Sequence, residues 1–158
     1  MPRLYFAAPL FSEAELAFNA ALTAEIEALG FDVFLPQRDG VETGREPWAS
    51  MSPEGRRRAI FETDRDAVFS SDVLLFVLDG RVPDEGAAVE LGLAYAHRAA
   101  TGRPAAIVGL MTDSRAAFLG GRLNPMLSEA LDVVLSDRPA LLAALARLAR
   151  LASAGDSG

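Results

Sequence analysis

Apolar and polar positions change period several times along the chain, and each change marks an element. Residues 4–8 form a short apolar run closed by Pro9, the pattern of a buried strand. From 12 to 29 the period becomes helical, with Leu16, Phe18, Ala21, Leu22, Ile26 and Leu29 recurring at roughly one face. Ser12 stands as its N-cap, Glu15 completes a capping box, and Gly30 follows the end. A second strand is expected over 31–35, ended by Pro36. Residues 37–52 are rich in Gly, Pro, Arg, Glu and Asp and keep no period, as in a functional loop. Helical spacing returns over 53–70, with Ser52 as cap and Pro53 in the first turn. The stretch 72–78 is apolar on both faces after its first residue, as a central parallel strand requires. A helix over 86–100, a strand over 105–110, an irregular or partly helical segment over 114–128 and a strand over 131–135 follow. A closing Leu/Ala/Arg helix starts at Asp137 or Pro139 and runs to Leu151, leaving 152–158 as a flexible tail. Alternation of buried strands with helices predicts an α/β, doubly wound parallel sheet of about five strands flanked by helices. Ligands of such sheets sit beyond the carboxyl ends of the strands.

Composition narrows the picture. With 158 residues and no repeat or linker, one domain over 1–151 is expected. There is no cysteine and one histidine, His97, which excludes disulfides, thiolate metal sites and multi-histidine metal sites. All 15 basic residues are Arg, so lysine Schiff-base chemistry and a Walker-type nucleotide loop are excluded. A net charge of −7 argues against nucleic-acid binding. No run is long enough to span a membrane, and the first residues lack a signal-peptide pattern, so a cytoplasmic location is expected.

The densest chemistry lies over 79–96. Asp79, Asp84, Glu85 and Glu90 place four carboxylates in twelve residues, directly after the central strand and into the next helix. Asp84 is placed to cap that helix, and Gly86, Ala87, Ala88 and Gly92 leave its start bare enough for a ligand to approach the backbone. Nearby helix N–H groups favour an ionised Glu90, as a nucleophile or base needs. A cap and a solvated glutamate explain the same pattern without a site.

This segment resembles the signature of the nucleoside 2-deoxyribosyltransferase family, Asp-Gly…Asp-x-Gly-x-x-x-Glu-x-Gly. Residues 5–11 are similar to that family's first strand and turn, and 35–39 to its second strand exit. Asp64 and Asp72 lie in a stretch similar to its helix and central strand, and Asn124-Pro125-Met126 resembles its Asn-x-Met. Ala7 and Ala8 replace a turn often written with Gly, and the loop over 37–52 has its own length. The resemblance implies a flavodoxin-like fold and a transferase that moves 2-deoxyribose between nucleobases through a glycosyl ester on Glu90, with net retention. It implies that Tyr5 orients Glu90, that Asp84 binds the sugar hydroxyls, and that Asp72 and Gln37 contact the base, with Asp72 handling the proton of the departing nitrogen. It further implies that Asn124 and Met126 reach the sugar site of a neighbouring subunit, so a homo-oligomer with shared sites is expected. No cofactor and no metal are expected; the partners are a deoxynucleoside and a free base. On that placement Asp84 would repel a 5′-phosphate and favour a plain nucleoside.

Two other readings stand beside it: an N-glycoside hydrolase of deoxynucleosides or nucleoside monophosphates, and a non-catalytic nucleoside- or nucleotide-binding module. His97 reads as a surface or packing residue, and Arg56-Arg57-Arg58 as a solvated helix face. Trp48 and Met51 suit either stacking on a base or pinning the loop. Gly120-Gly121 reads as a flexible turn before Asn124.

Overall fold

The structure is a computed structural model that describes residues 1–42, 44–115 and 123–155. Five parallel strands form one sheet: β1 (Arg3–Ala7), β2 (Asp32–Phe34), β3 (Val73–Val77), β4 (Ala106–Leu110) and β5 (Val133–Leu135). Their spatial order is β2-β1-β3-β4-β5, with every pair parallel. This is the flavodoxin-like order, and its direction of winding reverses between β1 and β3.

Helix α1 (Glu13–Glu27) opens on the expected capping box, in which the Glu15 N–H donates to Ser12 Oγ and the Ser12 N–H donates to Glu15 Oε2 at 2.8 Å. Helix α3 (Pro53–Ser70) opens on Ser52, whose Oγ accepts the Gly55 N–H at 3.1 Å. Helix α4 (Glu85–Thr101) opens on Asp84, which accepts the Ala87 N–H at 2.9 Å, and closes on Gly102 at φ +80. Each helix thus starts where a side-chain oxygen satisfies an otherwise orphaned amide.

The strand alternation splits the core in two. Leu4, Phe6, Val73, Leu75, Val77, Val108 and Leu110 face α1 and the closing helix α6 (Arg138–Gly155), meeting Leu22, Ile26, Leu141 and Leu145. Tyr5, Ala7, Leu74, Phe76 and Ile107 face α3 and α4, meeting Ala67, Val68, Ala87, Leu91 and Ala94. Full burial contributes about 1.5–3 kcal/mol for each large apolar side chain. With Leu4 and Phe6 fully buried on either side of it, Tyr5 is seated in a rigid strand.

Two segments differ from the sequence expectation. Within 37–52 the chain forms a short helix α2 (Pro36–Asp39) and a 3-10 turn (Trp48–Ser50). The first is set by Pro36 in the first turn and by Asp39, whose carboxylate accepts the Leu35 N–H at 2.8 Å. Helix α6 continues to Gly155, beyond the expected stop at 151, because Ala152, Ser153 and Ala154 do nothing to break it. Residues 156–158 of the expected tail lie outside the described residues, as do Gly120 and Gly121. The segment before β5 contains a single turn of helix, α5 (Pro125–Ser128), capped by Asn124.

Candidate active site

Because α3 leads into the amino end of β3 and α4 leaves its carboxyl end, both helices start at the carboxyl edge of the sheet and run down the same face. Glu90 lies on α4, three residues after buried Ala87 and four before buried Ala94, so its side chain is turned toward the sheet. There it meets Tyr5, whose hydroxyl donates to Glu90 Oε1 at 2.8 Å. The Tyr5 ring is fully buried and stacks on Phe34, centroids 5.5 Å apart. The phenol is fixed by packing and holds the carboxylate in one orientation.

The second oxygen of Glu90 makes no hydrogen bond among the described residues. Glu90 as a whole is half-buried, neither enclosed nor exposed. Glu90 therefore presents one anchored and one available oxygen.

Burial pushes the Glu90 carboxyl up to about 7, against the lowering effect of the Tyr5 hydrogen bond, and the charges of Asp64 and Asp84 add to the rise. Burial, with the charges of Glu90 and Asp64, pushes the Tyr5 phenol up as well, so it stays protonated and donates. Asp64 is the residue that the sequence reading left without a role. It sits on α3, three and four residues before buried Ala67 and Val68, on the helix face that meets α4 and β1. Burial pushes its carboxyl up to about 6, and its charge is felt by both Tyr5 and Glu90. The signal was in the sequence: an acid one turn ahead of an apolar pair at the inner face of a helix.

Asp72 requires a correction. It precedes the first residue of β3 and so lies on the amino edge of the sheet. Its carboxylate accepts the Arg3 N–H at 2.8 Å and pairs with Arg103 at 2.6 Å. It lines a cavity of about 490 Å³ with Met1, Pro2, Phe31 and Leu148, away from the Tyr5–Glu90 pair. The residue ties strand starts together; it does not face the carboxyl-edge ligand position.

Gln37 is spent on the fold in a similar way. Its Nε2 donates to Leu16 O at 2.9 Å, and its Oε1 accepts from Asn19 Nδ2, which also donates to Pro9 O at 2.9 Å. Gln37 thereby fixes the exit of β1 against α1. Asp84 spends one oxygen on capping α4 and is close enough to Glu90 to affect its charge. Asn124 caps its own turn, accepting the Met126 N–H at 2.9 Å, and Met126 is 82% exposed. Neither hydrogen-bonds Glu90 among the described residues. His97 stacks on Phe69, centroids 4.5 Å apart, a packing role as expected. Trp48 and Met51 sit on and just after the 3-10 turn, half-buried and exposed respectively.

A cavity of about 500 Å³ lies at the carboxyl edge against α1, lined by Pro9, Glu15, Phe18, Val77, Asp79 and Thr112 among others; none of Tyr5, Asp64, Asp84 and Glu90 lines it. No described group of His, Cys, Asp and Glu is arranged to hold a metal ion, and no described helix is long and apolar enough to cross a membrane.

A half-desolvated carboxylate with one oxygen held and one free suits attack on a carbon that develops positive charge. That is the chemistry of glycosyl-transferring and glycosidic enzymes. The chain belongs to the nucleoside 2-deoxyribosyltransferase family, whose sequence profile matches residues 4–139. Family membership makes it a nucleoside-processing enzyme of the glycosyl-transferring or glycosidase kind, acting on nucleosides and nucleobases as small molecules. No curated protein matches the sequence significantly. Among solved structures, a conserved protein from Enterococcus faecalis is 29% identical with a TM-score of 0.74, covering 93% of this chain and 98% of its own. A 2-deoxyribosyltransferase from Bacillus psychrosaccharolyticus is 21% identical with a TM-score of 0.70, covering 90% and 95%. A CMP N-glycosidase from Clostridium botulinum is 20% identical with a TM-score of 0.51, covering 90% and 96%. At these identities the last two share the fold.

Proposed function

We propose that this enzyme transfers 2-deoxyribose from one nucleobase to another through a covalent ester on Glu90. The observation that carries the reading is the Tyr5–Glu90 pair, a carboxylate anchored at 2.8 Å on one oxygen and open on the other. In the first half-reaction the free Glu90 oxygen bonds to C1′ while the N-glycosidic bond breaks. The bonding electrons pass to the base nitrogen, which takes a proton from the carboxylic acid form of Asp64. In the second, a new base attacks C1′ from the face the first one left, the ester oxygen departs as the Glu90 carboxylate, and Asp64 recovers a proton. Two inversions give net retention. Asp64 replaces Asp72 in the proton-transfer role because it lies on the inner face of α3, where its charge reaches Glu90, and burial raises its carboxyl to about 6; with Glu90 raised to about 7, the reacting form, Glu90 ionised and Asp64 protonated, is the minor of the two singly protonated forms. Asp84, at the start of the same helix, is placed for the sugar hydroxyls, and its charge disfavours a 5′-phosphate.

The site is completed by a second copy of the chain in this reading. Met126 stands exposed without a partner surface, and α3 and α4 present Phe61, Val89 and Tyr95 to solvent. Asn124 and Met126 of one subunit would then reach the sugar site of the other. Sedimentation velocity checks this; a monomer at working concentration removes the shared-site element.

A hydrolase is the second reading, favoured by the fold shared with the CMP N-glycosidase. One assay separates the two. Deoxyinosine is incubated with free adenine, and products are followed by chromatography. Transfer yields deoxyadenosine in proportion to the acceptor. Base release that ignores the acceptor supports the hydrolase. Absence of release from any deoxynucleoside or nucleotide refutes both and leaves a binding module.

A further inference from the structure

Arg38 and Asp39, beside Gln37 on α2, spend their side chains on β2. That strand has three residues and lies at the edge of the sheet, so the backbone groups on its outer side have no further strand to bond among the described residues. Val33 O accepts Arg38 Nη2 at 2.7 Å, and the Leu35 N–H donates to Asp39 Oδ2 at 2.8 Å. Arg38 also donates to Asp39, and its Nη1 reaches Glu27 at the end of α1 at 2.8 Å. The residue between the two bonded backbone groups is Phe34. It is half-buried, pairs in register with Tyr5, and lays its ring nearly parallel to the Tyr5 ring, at 12°. On the other side of Tyr5 the register partner is Leu74 of β3, an aliphatic residue without a flat face.

The plane of the Tyr5 ring matters to Glu90. A phenolic hydrogen prefers the ring plane, so turning the ring about its long axis leaves the oxygen in place but swings the donor direction away from Glu90 Oε1. That torsion is intrinsically broad for a tyrosine. A flat neighbour narrows it, because tilting the ring gives up stacked contact. Burial and the charges of Asp64 and Asp84 raise the Glu90 carboxyl, and the Tyr5 bond is the contact that lowers it. A phenol that donates less often lets it rise further.

We propose that Phe34 is a positioning residue: its ring, held in place by the fold-back of α2 onto β2, fixes the plane of the Tyr5 phenol and so the aim of the hydrogen bond on Glu90. The assignment rests on the glycosyl-transfer reading of the site. Phe34 acts through Tyr5, and the Arg38–Asp39 pair acts through Phe34.

The test compares Phe34→Leu and Phe34→Tyr in the full chain, with deoxyinosine and adenine as substrates, and repeats Phe34→Leu in a Tyr5→Phe background. Leucine keeps an apolar filling and loses the flat face; tyrosine keeps the ring. For Phe34→Leu the expected result is a fall in kcat of about fivefold with KM within about twofold, and an alkaline limb of kcat/KM displaced upward. Phe34→Tyr should stay within about twofold of wild type in kcat. With Tyr5→Phe already present, Phe34→Leu should change kcat by less than about twofold and leave the limb where it is, since the bond it serves is gone. An equal loss in both backgrounds overturns the assignment, as does a change in KM alone or a wild-type limb in Phe34→Leu. If Phe34→Leu does not fold, Arg38→Met, which releases Val33 O, takes its place: the same limb displacement upholds the assignment and a wild-type profile refutes it. Wild-type protein that processes no deoxynucleoside sinks the activity reading instead. The ring contact is then judged by carbon NMR titration of the Glu90 carboxyl: a midpoint displaced upward in Phe34→Leu upholds it, and an unmoved midpoint refutes it.

Discussion

Neutralising Glu90 should make the protein more stable while abolishing turnover, and the size of the effect follows from its surroundings. Burial raises the carboxyl from its ordinary 4.5 to about 7 in the fold. Below pH 4.5 the group is protonated in both the folded and unfolded chain and contributes no difference. As pH rises, the unfolded chain ionises first while the folded one resists, so stability is lost until the folded group also ionises near 7. Each pKa unit corresponds to about 1.36 kcal/mol, so the loss from this group totals about 3 kcal/mol by pH 8. Glu90→Gln removes that cost. Its amide oxygen still accepts from Tyr5, and its NH₂ replaces the oxygen that makes no hydrogen bond among the described residues. The assay is urea unfolding of wild type and variant at pH 4 and at pH 8, at one protein concentration so that any assembly cancels. The two should coincide at pH 4. At pH 8 the variant should be more stable by about 3 kcal/mol, equivalent to a melting temperature about 6–12 °C higher for a chain of this size. Parallel pH dependences, or a variant less stable at pH 8, would refute the claim that the fold holds Glu90 at an energetic cost.

The remaining expectations are narrower. Because Glu90 must be ionised and Asp64 protonated, kcat/KM should follow a bell with its maximum between about pH 6 and 7, its limbs belonging to the pair rather than to either acid; a flat profile from pH 5 to 9 would exclude the pairing. Asp64→Asn should slow base departure by roughly 10²–10⁴-fold and remove the alkaline limb, measured with a deoxynucleoside whose base is a poor leaving group. Tyr5→Phe should lower kcat and shift the alkaline limb upward, since the lost hydrogen bond lowers the Glu90 pKa and Glu90, needed ionised, is the less acidic member of the pair; an unmoved limb counts against the contact. Asp72→Asn should leave kcat/KM within about twofold while costing roughly 1–2 kcal/mol in urea unfolding, from the weakened Arg3 and Arg103 contacts.

Local patterns were legible where one residue type settles a local question. Ser12 with Glu15, Ser52 with Pro53, and Asp84 each mark a helix start that the fold uses, and the two-sided apolar stretch over 72–78 is the central strand. Glu90 stands out from the carboxylate pattern over 79–90 and Tyr5 from resemblance, and the fold brings them together. What failed was a question of direction along a strand. Asp72 borders the most apolar strand, but at its amino end, while ligands of a parallel sheet lie at the other edge. Asp64 carries no role in the sequence, where only its stretch resembles the family's helix; the phase relative to Ala67 and Val68 turns it inward. Gln37 is assigned to the base by resemblance, while its partners, Leu16 and Asn19, lie on a separate helix that spacing alone does not bring near.

The Tyr5 and Glu90 side chains that meet here are 85 positions apart. Tyr5 belongs to a strand that is slotted between β2 and β3, both of which are made later along the chain. Turnover can therefore return during refolding only after the first strand has been enclosed on both edges. Recovered catalysis is then a clock for the closing of the sheet's middle, and it should lag any helical signal that α1, α3 or α6 regains by itself.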